Sequence, residues 1–88
     1  MGNSSQKKRV QVEIFDDNYI VKGNAEDKHI LEVADYVDQK MKAISQRNPH
    51  LSIKQIAVLT ALNIADELYK LQDDYDKILQ ILEEAKEG

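Results

Sequence analysis

Apolar and polar residues alternate early in the chain: Val10, Val12 and Ile14 are interleaved with Gln11 and Glu13, the period-two pattern of a half-buried strand. Asp16-Asp17-Asn18 follows as a turn cluster. Tyr19-Ile20-Val21-Lys22 is a second β-prone run, closed by Gly23-Asn24. This pattern predicts a two-stranded antiparallel hairpin. Two strands alone are marginal in water, so the hairpin must rest on an apolar surface.

From about Ala25 to Arg47 the period changes. Ile30, Val33, Ala34, Val37, Met41 and Ile44 recur every three or four residues, the apolar stripe of an amphipathic helix. Asn24 is the expected N-cap, Glu26 and Asp27 suit the positive end of the helix dipole, and Lys40, Lys42 and Arg47 suit the negative end. Asn48-Pro49 stops the helix, because the residue before proline is pushed out of the α region. Ser52 and Gln55 have the spacing of a capping box and open a second helix. No proline or glycine interrupts it before Gly88. It should run for about 35 residues, roughly 50 Å at 1.5 Å per residue.

Along this second helix Ala57, Ala61, Ile64, Leu68, Leu71, Tyr75, Ile78, Leu82 and Ala85 are spaced alternately four and three residues apart, a heptad a/d seam. A compact globule of this length has a diameter of about 30 Å, so the helix must project beyond it. The hairpin and first helix are too short to cover the projecting seam, which therefore awaits another chain. Between Ile53 and Ala65, Ile56 included, the helix is apolar almost all round and marks the centre of a head where two chains meet. We assign Ile56, Ala57, Ala61, Ile64, Leu68, Leu71, Tyr75, Ile78 and Leu82 to an oligomer interface. Leu79 and Ile81 broaden the seam towards more than two helices.

Composition narrows the function. With 88 residues there is room for one domain. Charged residues make up 32 % and there is no cysteine, which excludes disulfides and thiolate metal sites. The longest apolar run, Ala57 to Ala65, is too short to span a bilayer, and the N-terminus lacks the apolar stretch of a signal peptide. We expect a cytoplasmic protein with a flexible leader over 1–8, a dimerisation head over 9–65 and a coiled-coil tail over 66–88. The net charge of −4 argues against nucleic-acid binding. Charge is unevenly placed, however: no acid occurs from Gln39 to Ala65, whereas eight occur from Asp66 to Gly88.

Candidate chemistry is sparse. His29 and His50 have no metal-ligand spacing around them, and no phosphate loop or nucleophile motif is present. We expect no catalytic residue, no metal and no cofactor. The cationic group Lys40, Lys42, Arg47 and Lys54 is the candidate partner-binding surface, suited to docking on an acidic protein. Asn63 falls on the polar side of its helix with Thr60, in a solvated or capping role.

Several segments resemble a known family. Tyr19-Ile20-Val21-Lys22-Gly23, Val33-Ala34-Asp35-Tyr36-Val37-Asp38-Gln39-Lys40-Met41, Asn48-Pro49-His50-Leu51 and the run from Ile56 to Leu68 are similar to ZapA, a family of bacterial cell-division proteins. The resemblance implies an α+β fold: a head of hairpin plus short helix, followed by a long coiled-coil helix. It also implies a dimer that can pair into an antiparallel tetramer. The implied partner is the tubulin-like division GTPase FtsZ, whose filaments the family cross-links and bundles at midcell, with Lys40, Lys42 and Arg47 as the head residues carried over to that contact. The tail is short for the family. The competing reading is a coiled-coil regulator that sequesters another helical protein.

Overall fold

A computed structural model describes residues 8–24 and 26–87. The element order is β1 (Lys8–Ile14), β2 (Asp17–Gly23), α1 (Asp27–Arg47) and α2 (Ile53–Glu87). The fold is α+β, a hairpin followed by two helices of which the second is long. The expected leader falls outside the described residues except for Lys8, which opens β1.

β1 and β2 pair antiparallel, with Val10 opposite Val21, Val12 opposite Tyr19 and Ile14 opposite Asp17. This register makes Phe15-Asp16 the turn, rather than the polar cluster Asp16-Asp17-Asn18. The reason lies on the inner face: a two-residue turn puts the two valines of β1 and Tyr19 and Val21 of β2 on one side, and a one-residue slip would turn one strand's set outward. The cost is local. Both turn residues have positive φ, 51° at Phe15 and 68° at Asp16, as a type I′ turn demands. Asp tolerates that region; a phenylalanine there is an outlier that surrounding contacts must hold. The contact is a hydrogen bond in which the Phe15 N–H donates to Asp38 Oδ1 on α1, at 2.8 Å.

α1 lies across the β1 side of the inner face. Val10, Val12, Ile30 and Ala34 form the buried cluster, with Ile14 packed beside it. The helix starts two residues later than expected, at Asp27, and its N-cap is Glu26 with no side-chain cap bond. Asn24 cannot serve because it stands in the bend leaving β2, too far back to reach the first free N–H groups. The other end follows the expectation: the Asn48 N–H donates to the Ile44 and Ser45 carbonyls, its Nδ2 donates to Ile44 O at 3.0 Å, and Pro49 comes next.

The capping box forms reciprocally. Gln55 N–H donates to Ser52 Oγ at 3.1 Å, and Ser52 N–H donates to Gln55 Oε1 at 3.0 Å. α2 then continues unbroken for 35 residues. Its first turns pack on α1, burying Ile56, Thr60 and Met41. Thr60 is 3 % exposed, not on the polar side; burial is tolerated because its hydroxyl donates to Ile56 O at 2.8 Å.

The resulting shape is a thin, extended body, 55 × 50 × 16 Å, with a radius of gyration of 18.3 Å. A compact chain of this length would have about 12 Å. Among the described residues only six apolar side chains are buried. At about 1.5–3 kcal/mol each, that core is small, and the larger share of the apolar surface lies outside it.

Candidate self-association and partner-binding surfaces

The a/d spacing along α2 translates into a single open face. Leu68, Leu71, Tyr75, Ile78 and Leu82 are 55–68 % exposed, and Ile64, nearer α1, is half-buried. Ala57 and Ala61 are exposed as well. Ile56 differs: at 3 % exposure it is used inside the chain, at the junction with α1. It therefore lies behind the open face rather than forming part of it. The reason is helical phase, since Ile56 and Thr60 face α1 while Ala57, Ala61 and Ile64 sit about a quarter turn round.

The open face does not stop at α2. One groove is lined by Val37 and Met41 of α1 together with Ala57, Ala61, Ile64 and Leu68. A neighbouring hollow shares Met41 and Ala57 and reaches Phe15, Tyr19 and Val21 of the hairpin. The two join into one apolar floor running from the β2 half of the hairpin to the projecting helix. α1 packs mainly on β1 and reaches β2 only at its edge, so Tyr19 and Val21 remain 51 % and 36 % exposed. On the other side of α2, Val58 and Leu62 are also open, at 53 % and 62 %. The segment that is apolar all round is thus enclosed on one side only.

The candidate cationic surface is less free than the residue types imply. Lys40 Nζ forms an ion pair with Glu67 of α2, and the Tyr36 hydroxyl donates to the same carboxylate. Lys40 also lies 3.4 Å from Asn63 Oδ1 and 5.4 Å from the centre of the Tyr36 ring. Donation by Lys40, then by Tyr36, holds the Glu67 carboxyl below its ordinary range. The same contacts push the Lys40 ammonium and the Tyr36 phenol up. Lys42 is 3.0 Å from Asp38 Oδ2, and the Phe15 N–H followed by Lys42 holds Asp38 below the usual carboxylate range. Arg47 and Lys54 are exposed and make no ion pair among the described residues.

Two features of these surfaces escaped sequence reasoning. The Tyr36–Lys40–Glu67 clasp joins residues 27 or more positions apart, beyond any local periodicity. Asp38 did leave a signal: it continues the four-residue spacing of Ile30 and Ala34 on the buried stripe of α1, where an acid needs a partner. His29 and His50 are exposed, and no group of three potential metal ligands exists among the described residues. No helix among them is long and apolar enough to cross a membrane.

Comparison with known proteins bears on these surfaces. The family model described as cell division protein ZapA matches residues 10–87. The ZapA of Geobacillus sp. strain WCH70 is 45 % identical over 82 residues, covering 93 % of this chain and 94 % of that relative. The ZapA of Shouchella clausii is 45 % identical over 76 residues, covering 86 % and 97 % respectively. Among solved structures, a ZapA mutant dimer from Geobacillus stearothermophilus superposes with a TM-score of 0.73 at 36 % identity, covering 94 % of this chain and 96 % of that one. An unknown conserved bacterial protein from Pseudomonas aeruginosa PAO1 shares the fold, with a TM-score of 0.68 at 22 % identity over 91 % of this chain.

Proposed function

We propose, because the chain belongs to the ZapA family of cell division proteins, that it is a non-catalytic oligomer that cross-links filaments of the tubulin-like GTPase FtsZ at the division septum. The observation carrying this reading is the α2 seam, whose side chains from Leu68 to Leu82 are more than half exposed in the single chain. A surface this apolar is stabilised by a second copy. The solved dimer of a ZapA relative supports self-association through the same fold.

Cross-linking follows from pairing. Residues 9–65 act as the head and 66–88 as the tail that holds two heads in one particle, in the cytoplasm. One head binds a filament weakly, and two heads joined by α2 bind two filaments at high effective concentration. The head contact is electrostatic and draws on Lys40, Lys42 and Arg47. Arg47 is its free charge, because the other two already pair with Glu67 and Asp38.

The test is co-sedimentation and light scattering of FtsZ filaments with wild type and Leu82→Glu. The variant should lose bundling together with the oligomer. Full bundling by a variant shown to be monomeric would refute the mechanism. Failure of the wild-type protein to pellet with filaments would refute the partner.

A further inference from the structure

We propose that β2 is completed by β2 of a second copy, the Asp17–Gly23 edge pairing antiparallel with itself about a two-fold axis at Ile20. This rests on reading the chain as self-associating and specifies a strand edge within that interface.

Ile14 and Asp17 close a two-residue turn, and the closing pair of such a turn exchanges both of its backbone hydrogen bonds. Bonded and non-bonded pairs alternate from there, so Val12–Tyr19 and Val10–Val21 are also bonded pairs. The N–H and C=O groups of Asn18, Ile20 and Lys22 consequently point away from β1, as do those of Arg9, Gln11 and Glu13 on the opposite edge.

The two edges are not equivalent. At its outward-bonding positions β1 carries only polar residues, two of them charged, which is how exposed edges are kept from pairing. β2 has Ile20 at the centre of its edge, 62 % exposed, with Asn18 and Lys22 beside it and neither proline nor a bulge in the strand. One lysine is its only protection.

That edge is complementary to itself. With the axis at Ile20, three pairs exchange two backbone bonds each: Ile20 with the partner's Ile20, Asn18 with the partner's Lys22, and the reciprocal pair. On the inner face Tyr19 meets the partner's Val21 and Val21 the partner's Tyr19, an aromatic–β-branched pairing favourable across strands. No like charges oppose one another. An axis at Lys22 would set lysine against lysine, and an axis at Asn18 would leave half the edge unpaired. The product is a four-stranded sheet in the order β1–β2–β2–β1, with Tyr19 and Val21 of both chains at its middle, next to the open apolar floor. A two-stranded hairpin is marginal, and four strands are not.

The chain has no cysteine, which makes single-cysteine variants unambiguous. The full-length Ile20→Cys and Gln11→Cys proteins are oxidised mildly with copper–phenanthroline, at a concentration where sedimentation shows wild-type dimers. A directly opposed bonded pair has Cα atoms about 5.5 Å apart, within the reach of a disulfide, so Ile20→Cys should give covalent dimer at least about tenfold faster than Gln11→Cys. Equal rates in proteins that still sediment as dimers would overturn the edge pairing and leave self-association standing. A wild-type monomer at every concentration would overturn both. Amide exchange gives a second readout: the Ile20 and Lys22 amides should be slow in the dimer and fast on dilution. Protection appearing only when filaments are added would assign the edge to another protein and overturn the proposal.

Discussion

The seam on α2 makes a quantitative prediction at Ile78. In the single chain this side chain is 56 % exposed. Full burial of an isoleucine contributes about 1.5–3 kcal/mol over full exposure, so covering the remaining part contributes about 0.8–1.7 kcal/mol per chain. A two-fold interface uses the residue twice, giving about 1.5–3.5 kcal/mol per dimer. Ile78→Ala should therefore weaken self-association roughly 10- to 300-fold, taking about 1.4 kcal/mol per factor of ten. Alanine is the best helix former, so the substitution does not weaken α2 itself. Asp76→Ala is the control, because Asp76 lies about a third of a turn away from the seam, in solvent. Sedimentation over a dilution series from nanomolar to micromolar reads both dissociation constants, with circular dichroism to confirm intact helices. An Ile78→Ala constant within about threefold of wild type would refute the claim that this face is covered.

Asp38→Ala should free the Phe15 amide, which donates to Asp38 Oδ1; hydrogen exchange at Phe15 should accelerate at least about tenfold while the Val10 and Val12 amides change less. Glu67 should make stability depend on pH. Its folded pKa is depressed by Lys40 and Tyr36, so its contribution is present above the ordinary glutamate range and fades as pH falls through the lower, folded value. The wild type should therefore be more stable than Glu67→Gln at neutral pH, and the difference should vanish in acid, as followed by thermal melts across a pH series. Ser52→Ala removes one half of the capping box and should cost about 1 kcal/mol, read as a lower denaturation midpoint with an unchanged m-value.

Much of this architecture is legible along the chain because it is local. Strand alternation at Val10, Val12 and Ile14, the stripe from Ile30 to Met41, the stop at Asn48-Pro49 and the Ser52–Gln55 cap all lie within a few residues of the groups they govern. The turn is not legible, for a different reason. Asp16-Asp17-Asn18 has the composition of a turn, but the inner-face pairing of Val12 with Tyr19 and Val10 with Val21 decides the register, and a phenylalanine is forced into the left-handed region to satisfy it. The cationic surface shows the same limit. Lys40 and Lys42 look available in sequence because no acid follows them until Asp66, and only the crossing of α1 over α2 brings Glu67 to Lys40. The acid on Lys42, Asp38, sits one turn back and doubles as the anchor of the hairpin tip.

The uninterrupted course of α2 from head to tip has a consequence for changes in length. No glycine, proline or loop lies between Ile53 and Glu87 to absorb an added or missing residue. Each residue inserted into the rod would advance it about 1.5 Å and turn everything beyond by about 100°. A step of seven changes the phase by only about 20°, so it keeps the greasy edge nearly in line with the head. The molecule thus behaves as a graduated ruler marked in heptads: the distance between whatever its ends hold can be reset in increments of about 10 Å, and intermediate settings would twist the two ends out of phase.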